Sequence, residues 1–165
     1  MAEIKKIPAE PGWKISPGGS TGACMAFSNA LRQAIGEAAH NEFNDGIWYQ
    51  AGMRAKEFVE AFGLPVGDAR QIEEAMELAI RASMWPEFEF EVVEATRSRC
   101  VARVLKCAWY ERCKEQGISW DFCSVGHGRW GEGFIASVNP DFAFSLPRTA
   151  PGGDPYCEFI IEWKG

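Results

Sequence analysis

Residues 87–92 read Glu87-Phe88-Glu89-Phe90-Glu91-Val92, acidic and apolar side chains in alternation. Successive side chains of an extended chain point to opposite faces, so this stretch predicts a strand with one buried face and one wet face. Upstream the period is different. Ile72, Met76, Leu78, Ala79 and Ile80 recur at helical spacing, and a helix is expected from Asp68 to the Trp85-Pro86 pair, because a residue before proline avoids the helical region. Before it, Trp48, Met53, Ala55, Phe58, Val59 and Phe62 predict a helix over 47–62, stopped by Gly63-Leu64-Pro65. Met25, Phe27, Leu31 and Ile35 predict another over 23–40, with Ser20 or Thr21 as cap and His40 in a structural place at its C-terminal end. Asn44-Asp45-Gly46 reads as a break between these two helices. Residues 1–22, with Pro8, Pro11, Pro17 and Gly18-Gly19, read as an irregular arm.

Downstream, 100–105 is a second strand, 107–116 a helix closed by Gly117, and 120–138 a helix despite its four glycines, ended by Asn139-Pro140. Two last strands, 142–147 and 156–163, flank the turn-rich Ala150-Pro151-Gly152-Gly153-Asp154. Strands segregated from helices imply an α+β fold: an antiparallel sheet of about four strands packed against N-terminal and central helices. The expected organisation is the arm over 1–22 and one α+β domain over 23–165.

A chain of 165 residues, 47% hydrophobic, is large enough to bury a core without disulfides or a structural metal. Seven Trp and eleven Phe suggest an aromatic-lined pocket. The formal charge of −6 argues against nucleic acid and against an anionic membrane surface as partners. Met1–Gly22 holds no apolar run of signal-peptide length, and no window reaches the length of a membrane span. A cytoplasmic location, with the six Cys as free thiols, is the expectation.

Three groups could carry chemistry. Cys123 and His127 lie four apart in the helix expected over 120–138 and so share a face. They suit a nucleophile and its base, or two metal ligands, or plain packing. Cys157 alternates with Phe159 and Ile161 on the core face of the last strand. Cys107, Trp109, Tyr110 and Cys113 form a helical stripe, read as core or as pocket wall. A pocket is expected between the 107–138 helices and the strand of Cys157, among Trp109, Tyr110, Trp120, Trp130 and Phe134. Gly126-x-Gly128-x-x-Gly131 matches a dinucleotide fingerprint only in its letters, since no strand precedes it. No cofactor is expected.

The segment Cys107-Ala-Trp-Tyr-Glu-Arg-Cys-Lys-Glu-Gln-Gly117, then Cys123, Asn139-Pro140 and Gly153-Asp154-x-x-Cys157-x-Phe159, resembles the L-2-amino-thiazoline-4-carboxylic acid hydrolases. It is also similar to the wider vinyl reductase-type small-molecule-binding domains. The resemblance implies hydrolysis of C–N bonds in a cyclic amidine or amide; the alternative it implies is a non-catalytic ligand-binding or sensing domain. In the hydrolase reading Cys123 attacks, His127 is general base, and Asp154 or Asn139 orients. Cys107, Trp109, Tyr110, Trp130, Asn139 and Cys157 would contact the small-molecule ligand, and a homodimer is the assembly allowed for. Metal-binding relatives place a Glu and a Cys before the last Cys. Here 145–150 holds neither, so no metal is expected.

Overall fold

The computed structural model describes residues 9–84 and 87–165, with side chains from Ser16 onward except Pro17. The alternating stretch is strand β1 (Phe88–Ala95). It turns at 96–98, where Thr96 N–H donates to Arg99 O at 2.8 Å, into β2 (Arg99–Cys107). β3 (Phe142–Arg148) and β4 (Cys157–Trp163) complete one antiparallel sheet in the order β1-β2-β4-β3. The α+β fold with four antiparallel strands is therefore as the sequence implies.

Register puts Cys100 opposite Ile161, Ala102 opposite Phe159 and Val104 opposite Cys157, and all six are buried. This face meets helix α4 (Ala69–Met84), whose Ile72, Ala75, Met76, Ile80 and Met84 form its buried stripe. The other face carries charge. Arg103 pairs with Glu91 and Glu158, and Arg99 with Glu94 and Glu162. Such half-buried cross-strand pairs, lying at the sheet surface, help to set register.

The N-terminal helices depart from expectation. α1 runs Ala9–Ile35, so the irregular arm is corrected from Ala9 onward; residues 1–8 lie outside the described residues. Pro11 falls in the first turn, where a missing N–H costs nothing. The glycine-rich stretch is held by α5 (Ala108–Glu115): Gln116 Nε2 donates to Gly22 O at 3.0 Å. α1 ends at Gly36, whose φ of 84° suits a residue without Cβ. α2 then runs Glu37–Met53 straight through Asn44-Asp45-Gly46, so that expected break is absent. The polar side chains that would stop a helix have partners instead: Asn44 Nδ2 donates to His40 Nε2 at 3.0 Å, and Asp45 Oδ2 accepts from Arg129 Nη2 at 3.1 Å. His40 keeps a structural role, but in the first turn of α2, buried against Ser28 Oγ at 2.8 Å.

α3 (Ala55–Phe62) ends on Gly63, as expected. The Trp85-Pro86 stop of α4 lies outside the described residues. The 120–138 helix is two helices, α6 (Phe122–Val125) and α7 (His127–Val138), broken at Gly126. Glycines let α7 press onto α2. A Cβ on Gly52 would fall 2.1 Å from Trp130 O, and one on Gly133 2.2 Å from Tyr49 O.

Candidate functional site

Between α4, the start of β4 and the helices after β2 lies a cavity of about 240 Å³. α4 contributes Ala79, Ile80, Ser83 and Met84; β1 and β2 contribute Phe88, Val104 and Cys107. Trp48 enters from α2, Trp109 from α5, Phe122 and Cys123 from α6, His127 and Trp130 from α7, and Cys157 from β4. The wall is thus aromatic and aliphatic, its polar side-chain groups being three thiols, one imidazole, one hydroxyl and the indole N–H groups of three tryptophans. That is the composition of a small-molecule site, on a scale below the ~300 Å³ at which drug-sized pockets begin.

The thiols are not equivalent. Cys123 and Cys157 both line the cavity, and each thiol shifts the ionisation of the other. The Ala150 N–H donates to Cys157 Sγ, at 3.2 Å. The Cys123 thiol first and the Ala150 N–H second favour the ionised form of Cys157 and hold its thiol below the ordinary range, against the opposing effect of burial. The same pairing, with burial added, pushes Cys123 well above its ordinary value, since ionising it would set two thiolates side by side. Burial pushes the Cys107 thiol up to about 11.

Asp121 fixes this geometry. It is the N-cap of α6, its Oδ1 accepting from the N–H of Cys123 at 3.0 Å and of Ser124 at 3.3 Å. Its Oδ2 accepts from the Thr149 hydroxyl at 2.7 Å. One carboxylate therefore ties the segment bearing Cys123 to the loop bearing the Ala150 donor. Gly152 leaves room for it, as a Cβ there would sit 2.4 Å from Thr149 Oγ1.

His127 lines the same cavity, with its Nε2 buried and without a hydrogen-bond partner among the described residues. Burial alone lowers its pKa to about 4, so the ring is neutral at physiological pH. It is surrounded by Trp130, Phe144 and Phe159 at ring-centre distances of 5.8, 6.0 and 6.2 Å. The expected pairing of Cys123 with His127 is corrected: the break at Gly126 puts them on separate helices, and the side-chain partner of Cys123 is Cys157. Both nonetheless face one cavity.

Of the other residues expected at the site, Cys107, Trp109, Trp130 and Cys157 line the cavity. Three do not. Asp154 accepts from the Thr149 N–H at 2.9 Å and braces the β3–β4 loop. Asn139 ties the end of α7 to the α3–α4 loop, donating from Nδ2 to Val66 O at 2.8 Å. Tyr110 lies beneath Lys114 Nζ at 5.0 Å from its ring centre. Trp120 packs edge-on to His40 at 5.0 Å, and Phe134 is wholly buried in the core. Sequence reasoning missed Trp48, Met84, Phe122, Asp121 and Thr149. Only Asp121 had a local signal, an Asp placed immediately before a short helix.

Among the described residues no group of three or more His, Cys, Asp and Glu side chains is arranged to hold a metal ion, and no helix is long and apolar enough to cross a membrane.

The fold is shared with solved structures of low sequence identity. One is a trafficking protein particle complex subunit 3 from Naegleria fowleri covalently bound to palmitic acid. It has TM-score 0.65 and 15% identity, with 92% of this chain and 97% of that one covered. Another is the phenol-responsive sensory domain of the transcription activator PoxR with phenol, at TM-score 0.64 and 10% identity over 87% of this chain and 74% of that one. At such identities the likeness is one of fold. No curated protein matches the sequence. Residues 20–161 match the L-2-amino-thiazoline-4-carboxylic acid hydrolase family, 142 of the chain's 165 residues, and the chain belongs to that family.

Proposed function

We propose that the protein takes a small, largely apolar molecule into this cavity and hydrolyses a C–N bond of a cyclic amidine or amide, with Cys157 as nucleophile. The observation that carries this reading is the Cys157 sulfur at the cavity wall, accepting a hydrogen bond from Ala150 N–H at 3.2 Å beside the Cys123 thiol, which lines the same cavity. Family membership supports the reaction class. In the proposed step the Cys157 thiolate adds to the amidine or amide carbon, forming a C–S bond. The C–N bond breaks, and the leaving nitrogen takes its proton from Cys123. Water then cleaves the thioester-like adduct. Neutral His127 takes the water's proton and the Cys157 thiolate leaves, and the proton passes from His127 back to Cys123. Relative to the expectation from sequence, the nucleophile moves from Cys123 to Cys157, which was expected only to contact the ligand; Cys123 becomes the proton donor, His127 remains the base, and Asp154 acts only by bracing the Ala150 loop.

The second reading, a binding or sensing domain without turnover, is favoured by the aromatic wall and by the phenol-bound sensory domain of the same fold. One experiment separates the two. The protein is incubated with a panel of 2-amino-thiazolines and lactams, product is followed by chromatography, and adducts are mapped by mass spectrometry. Hydrolysis requires turnover with a transient adduct on Cys157, both lost in Cys157→Ala while ligand-induced tryptophan fluorescence changes persist. Turnover undiminished in Cys157→Ala refutes the nucleophile. Binding with no turnover by the wild type gives the sensing reading.

A further inference from the structure

We propose that the outer faces of α1 and α2 are the contact between two copies of this chain, related by a two-fold axis. The proposal is independent of the cavity and of the reaction read there. α1 has two unlike faces. On its inner face Thr21 and Met25 are buried, Ser28 Oγ lies 2.8 Å from His40 Nε2, and the Arg32 guanidinium lies over the Trp120 ring at 5.2 Å. Along its outer side run Ala23, Phe27, half-buried Leu31 and Ile35 at a spacing of four, one ridge along the helix. α2, joined to it at Gly36, keeps the spacing with Ala39, Phe43 and Ile47. Of the residues whose periodicity predicts α1, Met25 turns inward, whereas Phe27 and Ile35 are 71% and 41% exposed; on α2, Phe43 and Ile47 are 64% and 57% exposed. Single apolar residues on a surface are ordinary, but two rows on neighbouring helices form a patch of the kind that marks an interface.

Charge, shape and area each favour a second copy as the occupant. The chain carries a net charge of −6, yet α1 has no charged side chain between Lys14 and Arg32. Two such faces meet without the like-charge repulsion that acidic surfaces incur. A two-fold contact uses the same patch on both copies, so the patch must be self-complementary. Bulk and gap alternate here as that requires: Phe27 of one copy faces the exposed small residues Ala23, Ala26 and Ala30 of the other, with ridges at a spacing of four settling into the grooves between them. Phe27 and Phe43 alone expose on the order of 250 Å². That is roughly a third of the ~800 Å² per partner in a standard interface, before Ile35, Ile47 and the exposed alanines are added.

The test is sedimentation velocity of the full chain over a micromolar concentration series, for the wild type, Phe27→Glu, Phe43→Glu and, as a control at an exposed apolar position of β1, Val93→Glu. The wild type should sediment as a species of twice the 18.3 kDa chain mass. Each of Phe27→Glu and Phe43→Glu buries a carboxylate at the contact and should raise the dimer Kd at least tenfold, with Val93→Glu unchanged. Circular dichroism and urea midpoints matching the wild type establish that the variants fold; if one of the two does not, the other decides. A wild type that stays monomeric throughout overturns the proposal and leaves the face to some other protein. A dimer that survives both substitutions, or that Val93→Glu dissociates equally, places the contact elsewhere and overturns it too.

Discussion

Glu73 offers a quantitative test of the core beneath the cavity. It sits on α4, two turns before Ile80, and is only 2% exposed. Its Oε1 has no hydrogen-bond partner among the described residues. Burial first, then the like charges of Glu77 and Glu74, raise its pKa from 4.5 to about 7, and Arg81 opposes the rise only in part. The folded chain therefore keeps a proton that the unfolded chain releases. The stability conferred by that proton is complete below pH 4.5 and is lost as pH rises to about 7. At about 1.4 kcal/mol per pH unit the loss totals about 3 kcal/mol. His127 works the other way. Its pKa falls from 6.5 to about 4, so stability is lost as pH falls through that range. In the wild type the two slopes nearly cancel over their shared window. Glu73→Gln removes one of them. Urea denaturation from pH 4.5 to 8 should give a profile for Glu73→Gln that gains on the wild type by about 3 kcal/mol as pH rises. Burying an amide where a carboxyl stood shifts the whole profile but not its slope, so the difference between slopes is the observable. Parallel profiles would show that Glu73 does not hold its proton, and the argument from burial would fail.

Three further outcomes follow from the contacts described. Cys123→Ala should raise the Cys157 thiol toward the ordinary value of about 8.5, read as a shift to higher pH in the rate of Cys157 alkylation; an unmoved profile removes the Cys123 thiol as its stabilising neighbour. Asp121→Ala loses the cap of α6 and should cost roughly 0.5–2 kcal/mol in chemical denaturation; it should also slow Cys157 alkylation at neutral pH, because Cys123 and the Ala150 loop lose their common anchor. Gly133→Ala sets a methyl group 2.2 Å from the Tyr49 carbonyl oxygen and should cost at least about 1–3 kcal/mol; a fully stable variant would show that α2 and α7 are not held at this separation.

The sequence showed its strands well because period two is short. Four residues of Glu-Phe alternation suffice, and the sheet carries no competing signal. α4 was legible for the same reason at period 3.6, as was Gly63 as the stop of α3, but the single helix expected over 47–62 is divided at Arg54 between α2 and α3. α1 and α2 were misread because Pro11, the glycines and Asn44-Asp45-Gly46 are local breakers whose effect depends on what lies around them. Arg129 and His40 satisfy the polar groups of that segment within the fold, and the backbone has no reason to turn. The expected long helix over 120–138 failed in the opposite sense: Gly126 does break it, and this separates Cys123 from His127. Cys107, Trp109, Cys123, His127, Trp130 and Cys157 were placed together from sequence because they lie within a short span of chain and on one strand. Trp48 and Met84 come from elements far away in sequence, and nothing local marks them. The partner of Cys123 is also a product of topology: pairing of β2 with β4 brings Cys157 beside Val104, at the level of the cavity.

The close seat of α7 on α2 has a consequence for how this fold can diversify. At Gly52 and Gly133 the opposing atoms are main-chain atoms, which no rotamer change can move aside. The frame is thus specified by the absence of side chains at two positions, while the cavity is specified by the side chains present at positions such as Ala79, Val104 and Trp109. Drift in the second set alters what fits inside; drift in the first dismantles the wall. Lineages of this architecture can therefore exchange one ligand for another by a few substitutions, with the scaffold inherited unchanged.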